Sequence, residues 1–245
     1  MRELILSDIT EMGSGQCMVG LERVGKNAFR SVRPMPPMGF AWPVALHFQR
    51  GDFVQFEPAP TSAAPPHLED QNTHGLNPLG ESLVEDELVD LLVHAETSEN
   101  SEGLFGCGLH SDHLGGNAWV APDSATRSIC GCWYANMRFR VYREPDRLRL
   151  VAKLALTSGE VLHSLPIVDW TWRQFLVQMI HRLPRAPERQ ELDALFNRSI
   201  RARVLDSPTH FVRIGLPRPR QTEKKCWLML DSLFPQPDVT WLDDL

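Results

Sequence analysis

The stretch GQCMVGLERVGKNAFRSVRPMP, residues 15–36, with GDFVQFEPAPTSAAPPHLED, residues 51–70, decides the fold class. Cys17, Val19 and Leu21 alternate with Met18, Gly20 and Glu22, the period of two expected of a strand with one buried face. Val24-Gly25-Lys26-Asn27 supplies turn residues, and Ala28 to Val32 resumes as a return strand that carries Arg30 and Arg33 into a proline break. Gly51-Asp52 then opens Phe53-Val54-Gln55-Phe56, which stops at Pro58 and Pro60 because proline has no N–H to give a ladder. Short strands so closely spaced predict a small β-barrel.

Downstream, Thr61 to Asn77 is rich in Pro, Ala, His and Asn and reads as an irregular surface connection. Glu81 to Ala95 gathers Val84, Leu88, Leu91, Leu92 and Ala95 on one face behind an acidic first turn, which predicts an amphipathic helix. Turn signals at Gly115-Gly116-Asn117 and Pro122-Asp123-Ser124 make residues 97–126 a connection between halves. A second basic hairpin follows: Trp133 to Tyr142 carries Arg138 and Arg140, Leu148 to Leu156 carries Arg149 and Lys153, and Glu144-Pro145-Asp146 turns between them. Asp169 is placed to cap a helix through Trp172, Phe175, Leu176 and Met179 as far as Pro184, and Pro187 to begin another through Leu192 and Phe196. Strands at Thr209 to Leu216 and Lys225 to Leu230 close the chain around the loop at 217–224. The expectation is a mostly β, α+β protein: one barrel over 1–78, an acidic helix and loops over 79–126, and a second barrel with inserted helices over 127–245.

At 245 residues the chain can bury one large or two small cores, and 42% hydrophobic with 23% charged residues excludes a disordered or membrane composition. No run approaches the roughly 18 apolar residues needed to span a bilayer, and the first ten residues lack a secretory pattern, so the expected location is cytoplasmic. Five cysteines, an odd number, argue against a secreted disulfide framework and leave free thiols or a metal site. Charge is uneven. Residues 51–137 hold fourteen Asp/Glu and one Lys/Arg, a net -13, while 138–225 hold eighteen Lys/Arg and nine Asp/Glu, a net +9. A basic half beside an acidic one fits either an anionic partner or neutralisation inside the protein.

Several segments carry a resemblance: LILSDITEMGSGQCMVGLERVGKNAFRSVRP at 4–34, GDFVQFEPAP, PPHLED, the hairpin MRFRVYREPDRLRLVAKL leading to LPIVDW, and FVRIGLPRPRQTEKKCWLMLDSLFPQPD at 211–238. Together they resemble the dual OB domain family of prokaryotic proteins. That resemblance implies two OB-like barrels, a genomic setting near mobile-element and defence genes, and an inferred affinity for nucleic acid. The chain departs from the family at Asp231-Ser232-Leu233-Phe234, where members usually carry a glycine-isoleucine-tyrosine strand.

An OB-like barrel binds single strands by stacking bases on aromatics while Arg and Lys follow the phosphates. The candidates are Arg30, Arg33, Arg138, Arg140, Arg213, Arg218, Arg220, Lys224, Lys225 and Trp227. The alternatives are a solvated basic face, or arginines paired with the acidic middle. Cys107-Gly-Leu-His110, followed about 20 residues later by Cys130-Gly-Cys132, offers four soft or borderline ligands of the kind tetrahedral zinc uses; otherwise these are buried thiols and a loop histidine, and no other cofactor is expected. Among enzyme signatures, GxSxG, the P-loop and HExxH are absent, and His67, Glu69 and Asp70 form an acid-base cluster by residue type only. The expectation is therefore a nucleic-acid-binding or sensing module, an accessory of genome defence, with single-stranded nucleic acid or proteins encoded nearby as partners. The alternative is a protein-interaction subunit of a larger assembly, with or without structural zinc.

Overall fold

Leu4-Ile5-Leu6 near the N-terminus is a continuous apolar run, and such a run forms a strand only where both faces are covered. In the computed structural model, which describes all residues except 14, 114, 144–147, 184–187, 220–223 and 243–245, that condition is met. β1 (Arg2–Met12), β2 (Gly15–Arg23), β3 (Phe29–Met35), β4 (Asp52–Pro58) and β5 (Asp70–Ser82) close into a barrel in the order β1-β2-β3-β5-β4. Only the β3–β5 pairing is parallel, with Arg33 opposite Asp70. Leu4, Leu6, Ile9, Met18, Val32, Val54 and Phe56 fill the interior, while Ile5 and Leu21 point outward into a second apolar cluster. β2 is consequently buried on nearly every residue, not on alternate ones.

Residues 61–77, read as irregular, contain most of β5. Its sequence DQNTHGLNPLGES has no apolar alternation, and only Thr73 and Leu76 are buried. What makes it a strand is the backbone ladder on both sides, to β3 and to β4. Because β5 runs to Ser82, the following helix α1 (Glu85–Ala95) begins four residues later than its periodicity predicts, with the Glu87 carboxylate accepting from the Val84 N–H at 3.3 Å.

After β6 (His110–Ser111) and β7 (Ala118–Val120) comes β8 (Ile129–Arg143), the longest strand. With β9 (Leu148–Leu156), β10 (Val161–Pro166), β11 (Phe211–Gly215) and β13 (Met229–Leu233) it forms a five-stranded sheet, β10-β9-β8-β11-β13. The two edges of this sheet come together: Ile167 bridges Leu230 in parallel, and the Val168 N–H donates to the Leu230 carbonyl at 2.9 Å. Read around that closure, the order repeats that of the first barrel. Between β10 and β11 lie α2 (Trp170–Arg182), α3 (Arg189–Leu195), a π-turn at Phe196–Ile200 and α4 (Arg201–Asp206). As the sequence predicts, Asp169 caps α2, accepting from the Trp172 N–H at 3.2 Å. The predicted strand Lys225 to Leu230 is in fact two: β12 (Cys226–Trp227) joins β7 and β6 in a small separate sheet, and β13 closes the barrel. Glu144-Pro145-Asp146, Pro184 and Pro187 lie outside the described residues.

The two barrels are joined by backbone, apolar contact and charge together. Thr10 bridges Asp169, and the Glu11 N–H donates to the Val168 carbonyl at 2.8 Å. Leu88, Val89 and Leu92 of α1 wedge between Ile5 and Leu21 on one side and Phe211 and Phe234 on the other. Three arginines are sealed at or beside the junction. Arg213 reaches Asp8 at 3.4 Å, Glu96 at 3.3 Å and Ser31 at 3.2 Å; Arg50 reaches Asp169 at 3.0 Å; Arg33 reaches Asp70 at 3.0 Å and Ser128 at 2.9 Å.

Candidate nucleic-acid interface

Along β8, Met137, Phe139 and Val141 turn into the second barrel, so Arg138 and Arg140 turn out. The ladder sets Arg138 directly opposite Lys153 of β9, Arg140 opposite Val151, and Tyr142 opposite Arg149. Like charges facing each other across neighbouring strands are unfavourable. Among the described residues no carboxylate forms an ion pair with Arg138, Arg140 or Lys153. A bulge between Leu162 and Leu165 of β10 brings His163 to the same face, where burial and then the Lys153 charge hold its imidazole below the usual pKa. These side chains line a groove of about 590 Å³.

One wall of the groove explains how β8 ends without a neighbour. Beyond Trp133 no strand among the described residues pairs with its second edge, and an open edge leaves N–H and C=O groups exposed. Helical side chains take them instead. Asp193 accepts from the Val141 N–H at 2.6 Å, Asn197 accepts from the Phe139 N–H at 3.0 Å and donates back to its carbonyl at 2.7 Å, and Arg201 donates to the Met137 carbonyl at 2.7 Å. One oxygen of the Asp193 carboxylate is thereby engaged by the backbone, and the residue also lines the groove.

On the opposite flank the small sheet presents its aromatics. His110 stacks on Trp119 with centroids 4.6 Å apart, and the Lys225 ammonium lies 4.7 Å from the Trp119 ring and 5.4 Å from the Trp227 ring. Asp112 anchors Lys225 at 2.7 Å and accepts from the Trp119 indole at 3.0 Å. Beside them a recess of about 400 Å³ is lined by Arg149, Arg218, Lys225 and Trp227.

The predicted binding residues thus divide. Arg138 and Arg140 line the groove, Arg218, Lys225 and Trp227 line the recess, and Lys224 is exposed. Arg30 is exposed on the first barrel, where Glu22 holds it at 2.7 Å. Arg33 and Arg213 belong to the sealed junction. Burial works against the charge of Arg213, and Asp8 and Glu96 more than offset it, raising its pKa. Arg220 lies outside the described residues. Lys153, His163 and Trp119 join the face through register and tertiary packing; only the basic alternation of 149–153 hinted at Lys153.

Cys107, His110, Cys130 and Cys132 do not assemble: among the described residues no three His, Cys, Asp or Glu side chains gather as a metal would need. Cys130 and Cys132 are buried, and burial raises both thiols. His67, Glu69 and Asp70 do converge, but around Arg33, with His67 accepting from its guanidinium. Burial, then Arg33 and Arg218, push the His67 pKa down to about 3.

No family model, no curated protein and no solved structure matches the chain. No helix among the described residues is long and apolar enough to cross a membrane.

Proposed function

We propose that this protein is a non-catalytic nucleic-acid-binding module that holds a single strand across the outer face of β8, β9 and β10. The observation carrying the reading is the cross-strand pair Arg138–Lys153, with Arg140 beside it and, among the described residues, no carboxylate paired to any of the three. A phosphate backbone relieves that repulsion, and the adjacent Trp119 and Trp227 offer rings for base stacking. OB barrels bind oligonucleotides on their second and third strands and the loop before the last strand, which corresponds here to β9, β10 and the loop that holds Lys225, beside Arg138 and Arg140 on the first strand. Resemblance to the dual OB domain family extends the proposal to an accessory or sensing role in prokaryotic genome defence. Fluorescence anisotropy with labelled single-stranded DNA and RNA tests it. Arg138→Ala with Arg140→Ala should weaken binding, while Arg30→Ala, whose guanidinium Glu22 already holds, should not. Equal affinity of the double variant and the wild type sinks the reading.

A second reading has its own support: Met38 is 88% and Phe40 63% exposed on the loop between β3 and β4, apolar side chains of the kind that mark protein contacts. If no nucleic acid binds at low salt, a protein-interaction subunit takes its place.

A further inference from the structure

Asp231 of β13 is 3% exposed, and no described residue hydrogen-bonds to its carboxyl. An unpaired buried polar group costs about 1–3 kcal/mol, so folding alone gives no reason to keep one. The carboxyl lines a cavity of about 140 Å³ between the barrels, and Arg33, whose buried Nε also meets no acceptor, lines it too. The walls are apolar and soft: Met12 and Met35 from the first barrel, Leu216 and Met229 from the second. At the mouth, exposed Phe40 lies 5.5 Å from the Arg218 guanidinium.

Size, shape and charge narrow what fits. A cavity of roughly 150 Å³ takes one benzene-sized ring. Methionine thioethers favour contact with aromatic rings. An ionic ligand finds no spare counter-charge, since Arg33 faces Asp70 and Glu69, Arg218 faces Asp70, and Glu11 faces Arg173. Burial, then the nearby Asp8 carboxylate, raise Asp231 well above the usual carboxylate range, outweighing Arg33 and Arg213. A protonated carboxyl offers a donor and an acceptor side by side.

We propose that this cavity is a binding site for a small uncharged planar heterocycle, one six-membered ring with an N–H beside a C=O, the pyrimidine lactam class, paired with the Asp231 carboxyl. The ring lies between the methionines, and its N–H and C=O edge makes two hydrogen bonds to Asp231. The site touches residues of both barrels, so its occupant ties them together. The proposal does not rest on strand binding at the outer face, although Pro217 and Arg218 border both.

Titration calorimetry on the full chain with uracil, cytosine and 2-pyridone, and with toluene as a ring without hydrogen bonds, tests the proposal. At least one heterocycle should bind in the millimolar range or tighter, and toluene more weakly. Asp231→Leu should lose about tenfold or more in affinity while melting no lower than the wild type, because it removes an unpaired buried carboxyl. Asp231→Asn, which keeps a donor and an acceptor, should retain binding, and Met35→Trp, which fills the cavity, should abolish it. Absence of binding by all three heterocycles, toluene binding as tightly as they do, or unchanged affinity in Asp231→Leu or Met35→Trp would each overturn the proposal.

Discussion

Arg138 and Arg213 come from the same basic half of the sequence and do opposite work. Arg138 is exposed on β8 with no carboxylate paired to it among the described residues, while Arg213 is 0% exposed and bonded to Asp8, Glu96 and Ser31. Removing one partner of a buried charge pair costs about 3–5 kcal/mol, because the remaining charge is stranded, whereas surface changes stay within roughly 0.5 kcal/mol. Arg213→Met should therefore lower stability by several kcal/mol in urea unfolding, and Arg138→Ala should barely move it. His67 gives the junction a pH dependence. In the unfolded chain it takes a proton near 6.5, but in the folded one only near 3, so protonation favours unfolding. Its contribution is complete above the unfolded value and is lost as pH falls from about 6.5 toward 3. Arg33 and Arg218 resist that proton, and Glu69 and Asp70 surround the same guanidinium. Urea midpoints measured between pH 7 and 4 should fall more steeply for the wild type than for His67→Gln; equal slopes would remove His67 from the account.

At the scale of elements, the free edge of β8 depends on Asn197, which serves both the N–H and the carbonyl of Phe139. Asn197→Leu leaves two buried backbone groups unpaired and should cost about 2–4 kcal/mol, with hydrogen exchange at Phe139 accelerating first. The elements legible in the sequence were those that carry their own pattern: the β2–β3 hairpin, β4, the basic hairpin β8–β9, and α2 with its Asp169 cap. β1 is not legible as a strand because covering on both faces erases alternation, and β5 is not because its polar residues follow neighbouring backbones, not a core. The proposed binding face is half legible for the same reason. Arg138 and Arg140 show in the alternation of one strand, but their opposition to Lys153 exists only in the register, and Arg33 and Arg213 are indistinguishable from surface arginines until the second barrel covers them.

For the whole molecule, the junction means that neither barrel is complete alone. Separating them exposes Phe211, Phe234, Leu88 and Leu92 and strands Arg213, so residues 127–245 expressed alone should aggregate, and the full chain should unfold in one transition. Two resolved transitions would show independent barrels. Glu69, Asp70 and Glu96 of the acidic middle neutralise arginines at and beside the junction, while among the described residues Arg138, Arg140 and Lys153 on the outer face of the second barrel pair with no carboxylate. Whether that face holds a nucleic acid is decided by the salt dependence of single-strand binding. On a log-log plot each neutralised phosphate contributes a slope of about -0.7, so replacing Arg138, Arg140 and Lys153 together with Ala should make the plot shallower by about 2. Parallel plots for the wild type and the triple variant, or no binding of either at low salt, would contradict the proposal.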